Sequence, residues 1–480
     1  MKLLKLLLVF ILILSLTACL SLPLGSWPSY KDENETGQNH EVQNNGEAED
    51  YIDGHDHKGE AIDKNSSLDR EVDQEEENLI VNKDDDIDRD YDVGLEEIEE
   101  KEELEEEEDK DFEGKEEPSQ GLELVQVFNT QLPENSSLDL IYDNYPMEYD
   151  YLLMLKSANI RELPTLDGMI IKKIGAMERI ALIAEVKGDH LEQWNNDSWY
   201  QVEWEENSET KTGFIFSSLA EVRQFQFDKM VEAIEQLEHS ASYGELAHIS
   251  NYKNVNGAPS KIVGQTWDEF GYRRSQSAAG YEEPNTSSKF RYIPDGMLIQ
   301  VLEEENGFTK VQVVGFEGEY WVMDKYINSK NTLTKPNKVI IVDRKNQNQG
   351  IFEQINGQWT LVSYGLSTTG KNGPYSLETP LGYYMAIEKR DKFLYFKDGT
   401  NQIAGYAPYA IRFSGGGYIH GVPVDYRIED GRRIDPGKRE YLHTIGTIPR
   451  SHMCVRNYTS HAEFLHGWAD IGETALIVIE

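Results

Sequence analysis

Cysteine is almost missing: the 480 residues contain two, Cys19 and Cys454. That excludes a disulfide framework, which needs cysteines in numbers and in pairs. Positive charge is scarce as well. The chain has 46 Lys and Arg against 87 Asp and Glu, a formal net charge of −41. So acidic a chain is not expected to bind nucleic acid. Beyond the N-terminus there is no apolar run long enough to span a membrane. No metal-ligand spacing and no cofactor motif stands out, so neither a metal nor a cofactor is expected.

What is present falls into three zones. The first reads MKLLKLLLVFILILSLTACLS, with Lys2 and Lys5 ahead of an apolar run over 6–16 and Leu16-Thr17-Ala18-Cys19 after it. The run is short for a membrane span and suits a signal segment over 1–18. It resembles the bacterial lipoprotein signal. The resemblance implies cleavage before Cys19, lipidation of its sulfur, and a mature chain outside the cytoplasm, anchored to the membrane and facing the cell wall. With Cys19 committed to lipid, Cys454 has no partner for an internal disulfide, and a lone thiol in an exported protein is a candidate reactive group.

The second zone, 19–120, holds much of the negative charge. From Lys31 to Gln120 there are 38 acidic and 9 basic residues, a net of −29, which leaves −12 for the rest. Such a stretch buries too little apolar surface to offset its ordering entropy, so a disordered, self-repelling linker is expected. A flexible chain of that length spans roughly 50–60 Å r.m.s., enough to let folded domains leave the membrane surface.

The third zone is globular and mainly β. WYQVEW (199–204) and RIALIAEV (179–186) have strand composition, and KTGFIFSSL (211–219) follows a polar turn. A similar order recurs in GMLIQVL (296–302), GFTKVQV (307–313) and GEYWVMDKYI (318–327), with Trp199 matched to Phe308 and Phe214 to Trp321. This reads as an internal repeat of a small barrel, over 148–222 and 265–329. The first copy, with Asn159-Ile160-Arg161 and Pro164 ahead of those strands, resembles the bacterial SH3-like family, modules that help exported enzymes bind cell-wall glycan. Trp199 itself suits a core role. Between the copies, a helical connector is expected over 223–264, because Phe227, Met230, Ile234 and Leu237 recur at helical spacing.

From 336 to 480 the pattern is strand and turn, with frequent Gly and Pro. Three stretches there fall in order: Ser367-Thr-Thr-Gly-Lys371 with Thr379-Pro-Leu-Gly382; PYAIRFSGGGYIHG (408–421); and SHMCVRN (451–457). Together they resemble the L,D-transpeptidase catalytic domain, a YkuD-like β-sandwich. The resemblance implies a Cys454 nucleophile and a His420 general base acting on peptidoglycan stem peptides. A thioester would form as D-Ala leaves, and an amine of a second stem would then take the acyl group as a 3→3 cross-link. It further implies a Gly421 carbonyl that holds the imidazole, supporting roles for Ser451 and His452, an oxyanion hole from the N–H groups of Met453 and Cys454, and a substrate-facing Arg456.

The chemistry fits these residue types. A thiol near its ordinary pKa is mostly protonated at neutral pH and needs a neighbouring base. His420, His443 and His452 are near in sequence, and the motif selects His420. Two features depart from the family: Met453 stands where glycine is usual, and the segment between His420 and Ser451 is about twice the usual length. A positive φ at 453 would strain a methionine. The extra segment, with Arg432, Arg433, Lys438 and Arg439 among acids, reads as a surface insertion or a lid. Water in place of the amine would give an L,D-carboxypeptidase. A degenerate, wall-binding scaffold is the reading from another class. A papain-like peptidase fits poorly, because His precedes Cys here.

Overall fold

The computed structural model describes residues 122–480, apart from 262–265, 374–375, 398–399, 401 and 430. The signal segment, Cys19 and the acidic zone lie outside the described residues. Among those described, no helix is long and apolar enough to cross a membrane.

The chain is mainly β. Its first sheet takes seven consecutive strands: Asp150–Met154, Ala158–Arg161, Ile170–Ile174, Arg179–Leu191, Asn196–Glu206, Glu209–Phe216 and Ala220–Gln224. They lie in the spatial order third, second, sixth, fifth, fourth, first, seventh. A second sheet takes Leu246–Ile249, Ser277–Tyr281, Phe290–Pro294, Leu298–Glu305, Phe308–Val313, Glu319–Met323 and Ile327–Leu333, in the same spatial order. The registers correspond too: Trp199 faces Phe216 and Gln201 faces Phe214, as Phe308 faces Met323 and Lys310 faces Trp321. Trp199 is buried, and its indole N–H donates to Asp189 O at 3.1 Å.

Two boundaries differ from the expectation. The connector expected over 223–264 is helical only over Phe227–Ala241, and Leu246–Ile249 is already a strand of the second sheet. That strand is four residues long and buried throughout, so it carries no alternation to mark it. Ahead of the first repeat, Leu124–Val127 pairs with the first sheet, and Ser136–Leu138 pairs with Gln358–Leu366 further on.

The C-terminal region stacks two sheets. One contains Ser136–Leu138, Gln358–Leu366, Asn348–Ile355, Lys338–Asp343, Thr474–Ile479 and Gly382–Met385, in that order. The other contains Glu388–Phe396, Ile403–Ser414, Gly417–His420 and Val455–Arg456, with Val424–Asp425 on the side of Ile403–Ser414. Lys338–Asp343 and Thr474–Ile479 are parallel and almost wholly apolar because both faces are covered. Val339, Ile341 and Ile477 pack in one cluster with Met230, Ile234 and Leu237 of the helix. Ile340, Val342 and Leu476 face the other way, into a cluster with Ile411, Ile419 and Val455 of the second layer and Ile293 and Ile299 of the second repeat. The amphipathic helix thus buries its stripe on the sheet that contains Lys338–Asp343.

Both repeats are joined to this region by polar contacts at buried sites. From the first, Tyr151 donates to Asn346 O at 3.0 Å, and Arg179 donates to Ile445 O at 2.9 Å. From the second, Asp295 accepts from Arg412 Nη1 at 2.9 Å. Gly296, at φ +81, lies so near Phe413 that a Cβ there would sit 1.8 Å from its carbonyl oxygen.

Candidate active site

The residues singled out by the motif lie on or directly beside two adjoining strands. Gly417–His420 runs parallel to Val455–Arg456, with Ile419 opposite Val455 and His420 opposite Arg456. Strand alternation gives Ile419 and Val455 to the inter-sheet core, and it sends His420 and Arg456 to the opposite face. Tyr418, on that same face, shares a cluster with Cys454, Phe393 and Tyr395. Cys454 is 3% exposed, and its Sγ donates to Gly416 O at 3.7 Å.

His420 is buried, and its Nδ1 lies 2.6 Å from Gly421 O. A carbonyl only accepts, so Nδ1 carries the proton and Nε2 is left as the basic nitrogen. Burial pushes the imidazole pKa down to about 4; the Gly421 contact opposes that shift and the Arg456 charge adds to it. His420 is therefore neutral at physiological pH, as a general base requires. Its backbone is tied down as well, since Asn457 N donates to His420 O at 2.9 Å. Asn457 Oδ1 in turn accepts from Gln349 Nε2 at 2.5 Å.

The turn before the cysteine is held by the Ser-Thr-Thr-Gly stretch. Arg456 and Thr368 exchange backbone hydrogen bonds at 2.8 and 2.9 Å, and Arg450 and Ser451 both donate to Thr369 O. The Ser451 hydroxyl donates to Cys454 O. Thr379 Oγ1 accepts from Gly370 N at 2.8 Å and donates to Met453 O at 3.0 Å. Met453 has φ +88, so the departure from glycine falls on a left-handed backbone that a methionine adopts at a cost. Its backbone crosses Gly370 so closely that a Cβ on Gly370 would lie 2.4 Å from Met453 N. The glycine that tolerates the approach is thus at 370.

His452 is buried beside Ser451, and His443 is exposed. The Arg456 side chain is buried, and its Nε has no hydrogen-bond partner. The segment between His420 and Ser451 adds Val424–Asp425 to the second layer and an exposed hairpin, Arg427–Glu429 with Arg432–Ile434. Asp435 fastens it through Lys392 at 2.9 Å and Tyr406 at 3.1 Å. Arg432, Arg433, Lys438 and Arg439 are all exposed. Among the described residues, no group of three or more His, Cys, Asp or Glu side chains is placed to hold a metal ion.

Sequence reasoning missed two contributors. Asp295, 2% exposed, accepts from Gly415 N at 2.9 Å and so anchors the SGGG loop whose Gly416 carbonyl faces Cys454. Another buried histidine, His461, lies 3.1 Å from Ser363 Oγ and stacks on Tyr142; burial pushes its pKa down to about 3. It belongs to the helix Thr459–Trp468 and acts in packing. No sequence signal links Asp295 to a loop over a hundred residues away.

The fold and this constellation define a two-layer β domain with a neutral imidazole at the end of one strand and a thiol just ahead of its neighbour. Residues 337–479 match the family model of the L,D-transpeptidase catalytic domain, YkuD. No curated protein matches the chain. Among solved structures, a fused Zn-dependent amidase/peptidase/peptidoglycan-binding domain-containing protein from Clostridium acetobutylicum is similar at 15% identity. That likeness covers 30% of this chain and 52% of that one, with a TM-score of 0.20. An L,D-transpeptidase from Mycobacterium smegmatis is similar at 14% identity, over 38% of this chain and 82% of that one, with a TM-score of 0.24. L,D-transpeptidase 3 from Mycobacterium tuberculosis is similar at 16% identity, over 42% and 79%, with a TM-score of 0.23.

Proposed function

We propose that the protein is an exported L,D-transpeptidase that forms 3→3 cross-links in peptidoglycan through a Cys454 acyl-enzyme. The observation that supports this reading is a neutral, Nδ1-anchored His420 on a strand paired with the one that directly follows Cys454, inside the matched domain. Nε2 of His420 takes the thiol proton as sulfur attacks the carbonyl between the third stem residue and D-Ala. The C–N bond breaks, the proton passes to the leaving amine, and D-Ala departs, leaving a thioester. The amine of a second stem then attacks the thioester. His420 accepts its proton, the new amide forms, and the protonated thiol is restored. The N–H groups of Met453 and Cys454 serve the oxyanion. Ser451, which holds the Cys454 carbonyl, and His452 support that turn, and Arg456 faces the anionic substrate.

In this reading Cys19 carries lipid and the acidic stretch is the tether. The two repeats act as SH3-like modules that hold the enzyme against wall glycan, outside the membrane. Purified protein incubated with tetrapeptide stems should yield a cross-linked dimer and free D-Ala in chromatography with mass detection. Tripeptide and D-Ala without dimer would make water the acceptor and the enzyme an L,D-carboxypeptidase. Neither product, with glycan binding intact, would leave a scaffold.

A further inference from the structure

The two repeats share strand order and register, and they differ sharply in one connection. Between their first and second strands the first repeat has three residues, 155–157, whereas the second has 250–276. The added segment reaches the catalytic domain at both described ends. Tyr252 lies 3.4 Å from the Tyr418 hydroxyl, and the Arg412 guanidinium sits over its ring at 4.1 Å. Trp267 and Arg273 pair across a tight turn. Asp268 builds that turn, accepting from the N–H groups of Phe270 at 3.1 Å and of Tyr272 and Tyr292 at 2.8 Å each. Arg291 props Phe270, with its guanidinium 3.9 Å from that ring and 3.7 Å from Phe316.

A cavity of about 180 Å³ lies between this turn and the catalytic domain. Its lining includes Trp267, Phe270, Tyr272 and Arg273 on one side and Leu381 and Met453 on the other. Met453 directly precedes Cys454, so the cavity abuts the nucleophile's own turn. Four charged side chains line it. Arg344 is matched by Glu378 at 3.1 Å, and Asp295 by Arg412 at 2.9 Å. Arg273 remains. No carboxylate of a described residue lies within 4 Å of it; Nη2 donates to the neutral Asn372 at 2.9 Å, and the guanidinium stacks over Trp267 at 4.1 Å. Its Nε is buried without a hydrogen-bond partner. A planar cation held flat by an aromatic ring, with a donor unspent, suits a carboxylate.

We propose that this cavity binds the terminal carboxylate of the peptide stem that donates the acyl group, with Arg273 as the recognising cation. The inference rests on the transpeptidase reading for the source of that peptide. The apolar walls take a small aliphatic residue, and the volume excludes a folded partner. The second repeat is thereby a wall of the substrate site as well as a module beside it, and its inserted turn determines which stems are accepted.

The test compares the tetrapeptide stem as free acid with the same stem as C-terminal carboxamide, using full-length protein. Arg273→Ala should raise KM for the acid about 10- to 100-fold, the usual range for losing a charge-assisted hydrogen bond, with kcat within a few-fold. The carboxamide should bind the parent protein as weakly as the acid binds the variant, and the variant should not weaken it further. Arg273→Lys should recover part of the loss. Equal effects on acid and amide, or an unchanged KM, would overturn the proposal. Titration of both peptides into the Cys454→Ala protein separates this from the chemistry. An acid-over-amide preference without any turnover in the parent would sink the transpeptidase reading and leave the carboxylate site standing.

Discussion

His420 decides the pH behaviour of the site. Its pKa is pushed from the ordinary 6.5 down to about 4 by burial, so the folded state disfavours the proton. The stability gained from the neutral form is present above pH 6.5 and is lost as pH falls toward 4, because the unfolded chain takes up the proton first. At about 1.4 kcal/mol per tenfold, that loss is about 3 kcal/mol. His461, down to about 3, adds to it in the same direction. The acid limb of kcat/KM should accordingly lie between pH 4 and 5, and a limb near 6.5 would mean that the imidazole is solvated and differently held. Met453 is the other residue that governs the turn. Its φ of +88 places the strain beside Cys454, and the hydrogen bond from Thr379 to its carbonyl holds that backbone.

Between elements, the turn ahead of Cys454 depends on backbone packed against backbone. Gly370 has Leu377 O at 2.3 Å and Met453 N at 2.4 Å from where a Cβ would stand. Neither can move as a flexible side chain would. Gly370→Ala should therefore displace residues 451–454 and cut turnover at least tenfold while the far sheets stay folded. Full activity with an unchanged melting temperature would show that the turn is looser than this packing implies. Much at this scale was readable in the sequence. Period 3.6 marked the helix Phe227–Ala241, and the three short motifs named the residues on strands Gly417–His420 and Val455–Arg456. Long-range contacts were not readable. Asp295 reaches Gly415 across 120 residues, Asn457 fixes the His420 backbone from just beyond the neighbouring strand, and the Trp267–Arg273 turn had no motif. The strand Leu246–Ile249 escaped notice because its burial is uniform.

Over the whole molecule, the described residues join through shared cores. The first repeat and the helix enter one hydrophobic cluster with the catalytic sheet, and the second repeat enters another. The repeats are thus fixed to the C-terminal domain, and reach in the tethered reading belongs to the acidic zone alone. Removing most of 31–120 should leave solution turnover unchanged and reduce cross-linking in cells. An equal fall in both would show that the zone serves the folded part directly. The internal repeat keeps one topology in both copies. Its two copies keep register where strands pair, and they diverge where the inserted segment 250–276 meets the catalytic domain.

Cys454 as an acyl-enzyme nucleophile activated by His420 is the central claim, and intact-mass measurement after brief exposure to a tetrapeptide stem tests it most directly. The expected result is an adduct of the stem less D-Ala, mapped to Cys454, present in the parent protein, absent in Cys454→Ala and formed far more slowly in His420→Ala. An adduct that forms equally fast without His420, or product released by Cys454→Ala, would contradict it.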